Sequence, residues 1–357
     1  AVVGLAAGGA VTTASGSAFL GNNAGRGVTT GNQNIAIGND AMYGSTVIGD
    51  NNIAIGTSAG DAITSGNVNI LIGKAAGGAI TTAFTNIAIG INAFDAATTG
   101  IHSNVAIGDN AMGTTTGADM CTVVGSNAGG NGNMTSDADG TVLIGRSAGS
   151  SLTSGNGNTA VGYEALDAED EGNRSTAIGY QALSAQNNNT GGNTAVGWTA
   201  GDLIVAGYAN TLVGSEAGTT GTNDLTSGTL NTLIGQATAV GAAGATNQTV
   251  IGRGTIGQAD NSVTLGNTDV TAVYMAQDSY ASVYAGQVKL SLDGNSSGGD
   301  FSGTGATVGL HISSSGVPYV KFTETNAASS GTADFEIYAA NQTFVLYDVD
   351  DGAQVFN

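Results

Sequence analysis

Aliphatic and polar positions alternate along most of the chain in short bursts, and no burst is long. The bursts look alike: NIAIGNDAM (34–42), NIAIGTSAG (52–60), NILIGKAAG (69–77), NIAIGINAF (86–94), NVAIGDNAM (104–112), NTAVGYEAL (158–166), STAIGYQAL (175–183), NTAVGWTAG (193–201) and NTLVGSEAG (210–218). Alternation over four or five residues predicts a short half-buried strand, not a helix. The Ile or Val before the Gly shares a face with the Ile, Val or Thr two residues earlier, while Ala and Asn take the other face.

The bursts recur with a fixed period. Anchored on its Gly, the series runs 4, 21, 38, 56, 73, 90, 108, 125, 145, 162, 179, 197, 214, 235 and 252, with nine intervals of 17 residues, three of 18, one of 20 and one of 21. An aliphatic residue precedes the Gly in all 15 copies, Ala follows three later in the first 13, and Asn stands four before it in nine. The columns are represented by Ile37, Gly38 and Ala41; by Asn52, Ile55, Gly56 and Ala59; and by Ile72 and Gly73, Ile89 and Gly90, and Ile107 and Gly108. The Gly suits a bend needing positive φ or close backbone approach. The Ala suits a site with room for a methyl only. The spacers, such as AITSGNVN (62–69), are rich in turn formers.

A 17-residue period is too short for helical repeats, which need about 33 residues. It fits one coil of a narrow β-solenoid, and 15 coils stacked at about 4.8 Å give a rod of roughly 70 Å. Stacked Asn residues predict an amide ladder. With two or three large aliphatics per coil, the expectation is that a lone coil buries little and that the Ile/Val stripes of parallel copies, three in the simplest case, meet on one axis. The alternative is a core inside each coil. The fold class is therefore all-β: a repetitive β-solenoid or β-roll, expected as an intertwined or side-by-side homotrimer, with a small C-terminal antiparallel β domain. The divisions are a shaft (1–266), a transition and Gly-rich linker (267–307) and the C-terminal domain (308–357).

Composition narrows the function. The 357 residues include 60 Gly, one Pro, 27 acidic and 7 basic residues, for a net charge of −20. Scattered basic residues in so acidic a chain exclude nucleic-acid binding by charge. No apolar run is long enough for a helical membrane span, and the apolar start lacks the basic flank of a secretory signal. Near-absence of Pro and irregular Gly exclude collagen, and the regular aliphatic spacing argues against disorder. The single cysteine, Cys121, forms no intrachain disulfide; it stands in the Asn column, where a ladder-filling role is expected.

The N-x-A-[IV]-G-x-x-A units resemble the head β-roll of trimeric autotransporter adhesins. They are still more similar to repeat regions of phage tail fibres and related marine surface proteins, in units such as NTAVGYEAL and STAIGYQAL. The resemblance covers residues 1–266, and the segment 261–288 is similar to the passage from repeats to distal part in such fibres. A tail-fibre likeness implies a virion fibre or extracellular cell-surface location. It also implies partners of two kinds: further copies of the chain, as homotrimer or filament, and a host-surface glycan or protein receptor. No enzyme activity and no cofactor are expected. The alternative is an extracellular filament or adhesin subunit polymerising through its coil ends.

Eleven of the 19 aromatics fall between Tyr274 and Phe356. Alternating runs at 308–312, 318–324, 334–339, 343–349 and 353–356 predict short antiparallel strands. Tyr319, Phe322, Tyr338, Phe344 and Tyr347 are candidate receptor contacts, with core packing as the plainer role. Glu164, Asp167, Glu169, Asp170 and Glu171 offer carboxylates of the kind glycoside hydrolysis uses, but sit in a spacer expected to be solvated. NGNMTSDADG (131–140) and DVDDG (348–352) loosely resemble calcium loops without the closing Glu. His102 and His311 stand too far apart for zinc. The two long intervals place insertions at 126–141 and 215–231, which are expected to protrude.

Overall fold

The computed structural model describes residues 1–271 and 273, save 45, 97–99 and 188, together with the backbone of four later strands. The first unit, Ala1–Tyr274, is an all-β parallel solenoid of about 15 turns at about 17 residues per coil. Sixteen strands, from β1 (Val2–Val3) to β16 (Ser262–Leu265), form one sheet in strict sequence order. Register follows the repeat: Ile35 faces Ile53, Ala36 faces Ala54 and Ile37 faces Ile55, and each of these pairs again with the coil beyond. One 3₁₀ turn, Ser136–Ala138, is the helical content among the described residues.

Each coil closes because chosen positions accept left-handed backbone. The anchor Gly leaves the strand at φ near +137, as at Gly56 and Gly73, and a Cβ on Gly73 would lie 2.2 Å from the Gly90 carbonyl oxygen. No other residue fits there. Non-glycine residues also take positive φ: Asn23, Asp40, Ser58 and Asn92 two places after the Gly, and Gln33, Asn51, Val68 and Thr85 just before the Asn column. Asn and Asp tolerate this conformation; β-branched Val68 and Thr85 are strained in it. They are held because their N–H groups bond to Asp50 O and Asn67 O of the preceding coil, each at 3.0 Å.

The core corrects one expectation. Each coil encloses its own apolar interior, built from the face opposite the Ile/Val stripe. The mid-strand column (Ala36, Ala54, Leu71, Ala88, Ala106, Val123, Leu143) and the fixed Ala column (Ala24, Ala41, Ala59, Ala76, Ala93) are sealed from solvent. In most coils one further large side chain fills the remaining space, and its position alternates. In several coils where the fourth residue after the anchor is Gly, the seventh is a buried aliphatic: Gly60 with Ile63, Gly77 with Ile80, Gly149 with Leu152, Gly201 with Ile204; in the coils with the long intervals Met134 and Leu225 take that place from later positions. Where the fourth is large and buried (Met112, Leu166, Leu183), the seventh is Thr115, Glu169 or Gln186. A Cβ on Gly60 would lie 2.8 Å from Ile63 Cδ1 and 2.7 Å from Leu71 Cδ1. Most coils hold one such group, as close packing requires, and the coils of Met42 with Val47 and of Phe94 with Ile101 hold two. A single coil was expected to bury little because its large residues were counted on the wrong face.

In the second unit, β17 (Tyr319–Phe322), β18 (Phe335–Ala340), β19 (Thr343–Asp348) and β20 (Ala353–Phe356) pair antiparallel in that order. The expected strand at 308–312 lies outside the described residues.

Candidate functional site

The Asn column forms a ladder in the coil interior, unbroken from Asn34 to Asn104. Asn34, Asn52, Asn69, Asn86 and Asn104 are buried. Each Oδ1 accepts the next Asn's backbone N–H, at 2.8 Å for Asn52 on Asn34 and 3.1 Å for Asn86 on Asn69. Each Nδ2 caps a spacer carbonyl: Gly66 O at 2.8 Å from Asn52, Ala83 O at 2.8 Å from Asn69. One amide thus ties strand to spacer and coil to coil, satisfying backbone groups that no sheet partner reaches. Cys121 continues the column: its N–H donates to Asn104 Oδ1 at 2.9 Å and its Sγ lies 3.4 Å from Ala138 O. Burial pushes its thiol up to about 11, which keeps it protonated. At Ser175 a buried network replaces the missing amide. Gln186 Nε2 donates to Glu169 Oε2 at 2.6 Å and to Ser175 Oγ at 2.9 Å, and its Oε1 accepts from Asn193 Nδ2 at 2.8 Å. Burial raises the Glu169 carboxyl above its ordinary range, against the Gln186 and Gly172 hydrogen bonds.

The outer face of the sheet carries the Ile/Val stripe. Ile37, Ile55, Ile72, Ile89 and Ile107 are half-buried, as are Ile35, Ile53, Ile70, Ile87 and Val105 beside them. Farther along the stripe, Ile144, Ile178 and Ile251 are each 39% exposed. From coil 159 onward the second column is Thr (Thr159, Thr176, Thr194, Thr211, Thr232), so the double aliphatic stripe becomes a single one.

Just past the anchor Gly, the next column holds a stack of planar groups. The Arg146 guanidinium lies 5.5 Å from the Tyr163 ring centre and its Nη1 donates to Tyr163 Oη at 3.0 Å. Tyr163 stacks on Tyr180 at 5.1 Å with 8° between planes, and Tyr180 on Trp198 at 6.3 Å with 18°. Parallel strands set this spacing, because equal positions in successive coils superpose. Tyr180 and Trp198 are 43% and 51% exposed. Arg26 over Tyr43, at 5.2 Å, repeats the motif in smaller form.

No known protein family, characterised protein or solved structure matches the chain. Its functional reading therefore rests on these faces.

The five spacer carboxylates are not gathered round a common cleft. Glu169 points inward; Glu164 binds Gln181 Nε2 at 2.7 Å, Glu171 binds Asn189 Nδ2 at 2.7 Å, and Asp167 takes the Ser150 hydroxyl. Asp170 serves the coil through its backbone, where its carbonyl accepts from Thr153. Hydrogen bonds from Tyr163 and Gln181 hold the Glu164 carboxyl below its usual range, while burial pushes Asp167 up. In the first calcium-like stretch, Asp139 Oδ1 accepts the Asp119 N–H at 2.7 Å; the second lies largely outside the described residues. No cluster of three metal-ligating side chains occurs among the described residues. His102 stacks on Phe84 at 4.9 Å and pairs with Asp119 at 2.9 Å, while His311 lies outside the described residues. Tyr319 and Phe322 lie on β17, Tyr338 on β18, Phe344 and Tyr347 on β19; their side chains lie outside the described residues. The inserted stretch 219–224 is a closed loop pinched at its base, where Leu225 N–H donates to Gly218 O at 2.8 Å, and Asp224 Oδ1 caps Thr220 and Gly221. Sequence reasoning missed the aromatic stack, although the 17- and 18-residue spacing of Tyr163, Tyr180 and Trp198 was its signal.

Proposed function

We propose that this chain is the shaft of an extracellular fibre of the phage tail-fibre kind. Parallel copies, three in the simplest arrangement, pack outer sheet face against outer sheet face and carry a distal region to a host-cell surface. One observation carries the reading: the half-exposed aliphatic stripe repeats once per coil along the whole sheet although the coil's own core is already complete. A long apolar stripe is unusual on a protein that works alone. Only a partner with the same rise per coil matches every rung, and a second copy of the chain is that partner. Covering the exposed half of one Ile contributes about 1 kcal/mol, so the gross gain over 15 coils outweighs the loss of freedom on association. The net charge of −20 keeps assembled rods apart.

Sedimentation equilibrium of the native protein tests this, with Ile89→Asp and Ile107→Asp as variants. Discrete oligomers that dissociate on either substitution are expected. A wild-type monomer at micromolar concentration, or variants assembled and as heat-resistant as wild type, would refute it. Electron microscopy then separates discrete rods from the indefinite filaments of the alternative reading.

A further inference from the structure

We propose that the cleft beside Trp198 binds one hexopyranose unit of a surface polysaccharide. The argument starts with the stack of planar groups. Arg146, Tyr163, Tyr180 and Trp198 occupy one column of four successive coils, and each buttresses the next. The next residue in that column is Ser215, so among the described residues no ring covers the far side of the indole. A half-exposed aromatic face fixed from behind by two tyrosines is a preorganised stacking platform.

A wall stands beside it. The 21-residue interval from Gly214 to Gly235 adds the loop 219–224, and the cleft between loop and indole, about 350 Å³, is lined by Trp198, Thr199, Asp202, Glu216, Thr219 and Thr220 among others. Apolar wall on one side and a few polar groups on the other is the usual make-up of a small-ligand site. Two of those polar groups, the Asp202 carboxylate and the Thr219 hydroxyl, are shielded from water and lie against each other, the hydroxyl turned to the carboxylate. A ligand hydroxyl entering between them exchanges that one hydrogen bond for two. The inserted loop carries Thr219, which puts both groups in the cleft lining.

A pyranose fits these features together. Its polarised C–H face lies flat on the indole, and a hydroxyl donates to the Asp202 carboxylate while accepting from Thr219. A quaternary ammonium is the competing ligand, since carboxylates and an indole attract it. It prefers several ring faces around one point, whereas the rings here are parallel and expose a single face. The inference concerns the coil surface and requires of the assembly only that Trp198 stays open to solvent.

Trp198 is the chain's one tryptophan, so its fluorescence reports on this site alone. The full-length, assembled protein and its Trp198→Ala variant are applied to a glycan array. Wild type is then titrated with the retained hexose oligomers and with tetramethylammonium, following tryptophan emission. The expected result is retention on at least one hexose-containing glycan, lost in Trp198→Ala, and a saturable emission shift with a dissociation constant of about 0.1–5 mM. Asp202→Asn and Thr219→Val, which leave the stack intact, should each weaken binding about tenfold while the protein stays folded and assembled. The proposal is overturned if no glycan separates wild type from Trp198→Ala, if tetramethylammonium alone shifts the emission, or if acrylamide fails to quench Trp198 in the assembled protein. Sedimentation of the same samples reads assembly separately, so failure here is distinguishable from failure of the fibre reading.

Discussion

Replacing Asn86 by Ala removes a side chain that makes four hydrogen bonds in the coil interior. Its Nδ2 donates to Asn69 Oδ1 at 3.2 Å and to Ile101 O at 3.0 Å, and its Oδ1 accepts from Asn104 N at 3.1 Å and Asn104 Nδ2 at 3.2 Å. What is stranded matters more than the number of bonds. Asn69 Oδ1 keeps the Asn86 N–H at 3.1 Å, Ile101 O keeps the Phe84 N–H at 3.1 Å, and Asn104 Nδ2 keeps Ala118 O at 3.0 Å. The Asn104 backbone N–H keeps nothing. A buried orphan costs about 1–3 kcal/mol and each lost bond about 1 kcal/mol or less net; with the small void, the sum is about 3 kcal/mol. Coils interact mainly with their neighbours, so the loss is local. Hydrogen exchange should show the Asn104 amide opening roughly 150-fold more often, with little change beyond the flanking coils. If that amide stays within about threefold of wild type, the amide ladder is not what ties coil to coil.

Cys121→Asn restores the missing amide between Asn104 and Thr141 and should stabilise those coils by about 1 kcal/mol; a lower thermal midpoint would contradict it. Gly73→Ala places a methyl against the Gly90 carbonyl at a φ of +137 and should cost more than about 3 kcal/mol by denaturant unfolding. Burial raises the carboxyls of Asp61, Asp95, Asp167, Glu169 and Asp202. A folded pKa above the unfolded one means that the native state holds more protons in that window. Stability therefore falls as pH rises through it, and the melting temperature should climb on acidification from neutral toward the ordinary carboxylate range. Glu169→Gln should flatten that slope. It should also lower stability at the acid end, because its new amide faces Gln186 Nε2, donor against donor. An unchanged slope would show that Glu169 does not contribute.

Much of the coil was legible in the sequence because its columns have separate physical causes. The anchor Gly, the methyl-sized Ala column, the Asn ladder and the two faces of each strand follow from spacing and side-chain size alone. The inward face was misjudged: Ile89 and Ile107 are larger than Ala88 and Ala106, and size suggested the core. The lumen is instead narrow enough for Ala, Asn and one or two large groups. The large group stayed hidden because it moves between two positions, as in Gly77 with Ile80 against Leu183 with Gln186, so either column alone looks variable. The Trp198 cleft needed three dimensions, since an inserted loop brings Thr219 beside residues from other coils.

The interruption of the amide ladder at Cys121 and Thr141 has a mechanical consequence. Tension along a stacked rod passes through every coil boundary in series, so the least-connected boundary sets the rupture force. Here two successive amide rungs are lost, at the start and the end of the 20-residue interval that precedes Gly145. A pulled shaft should therefore part first near its middle, leaving two intact halves rather than fraying from an end.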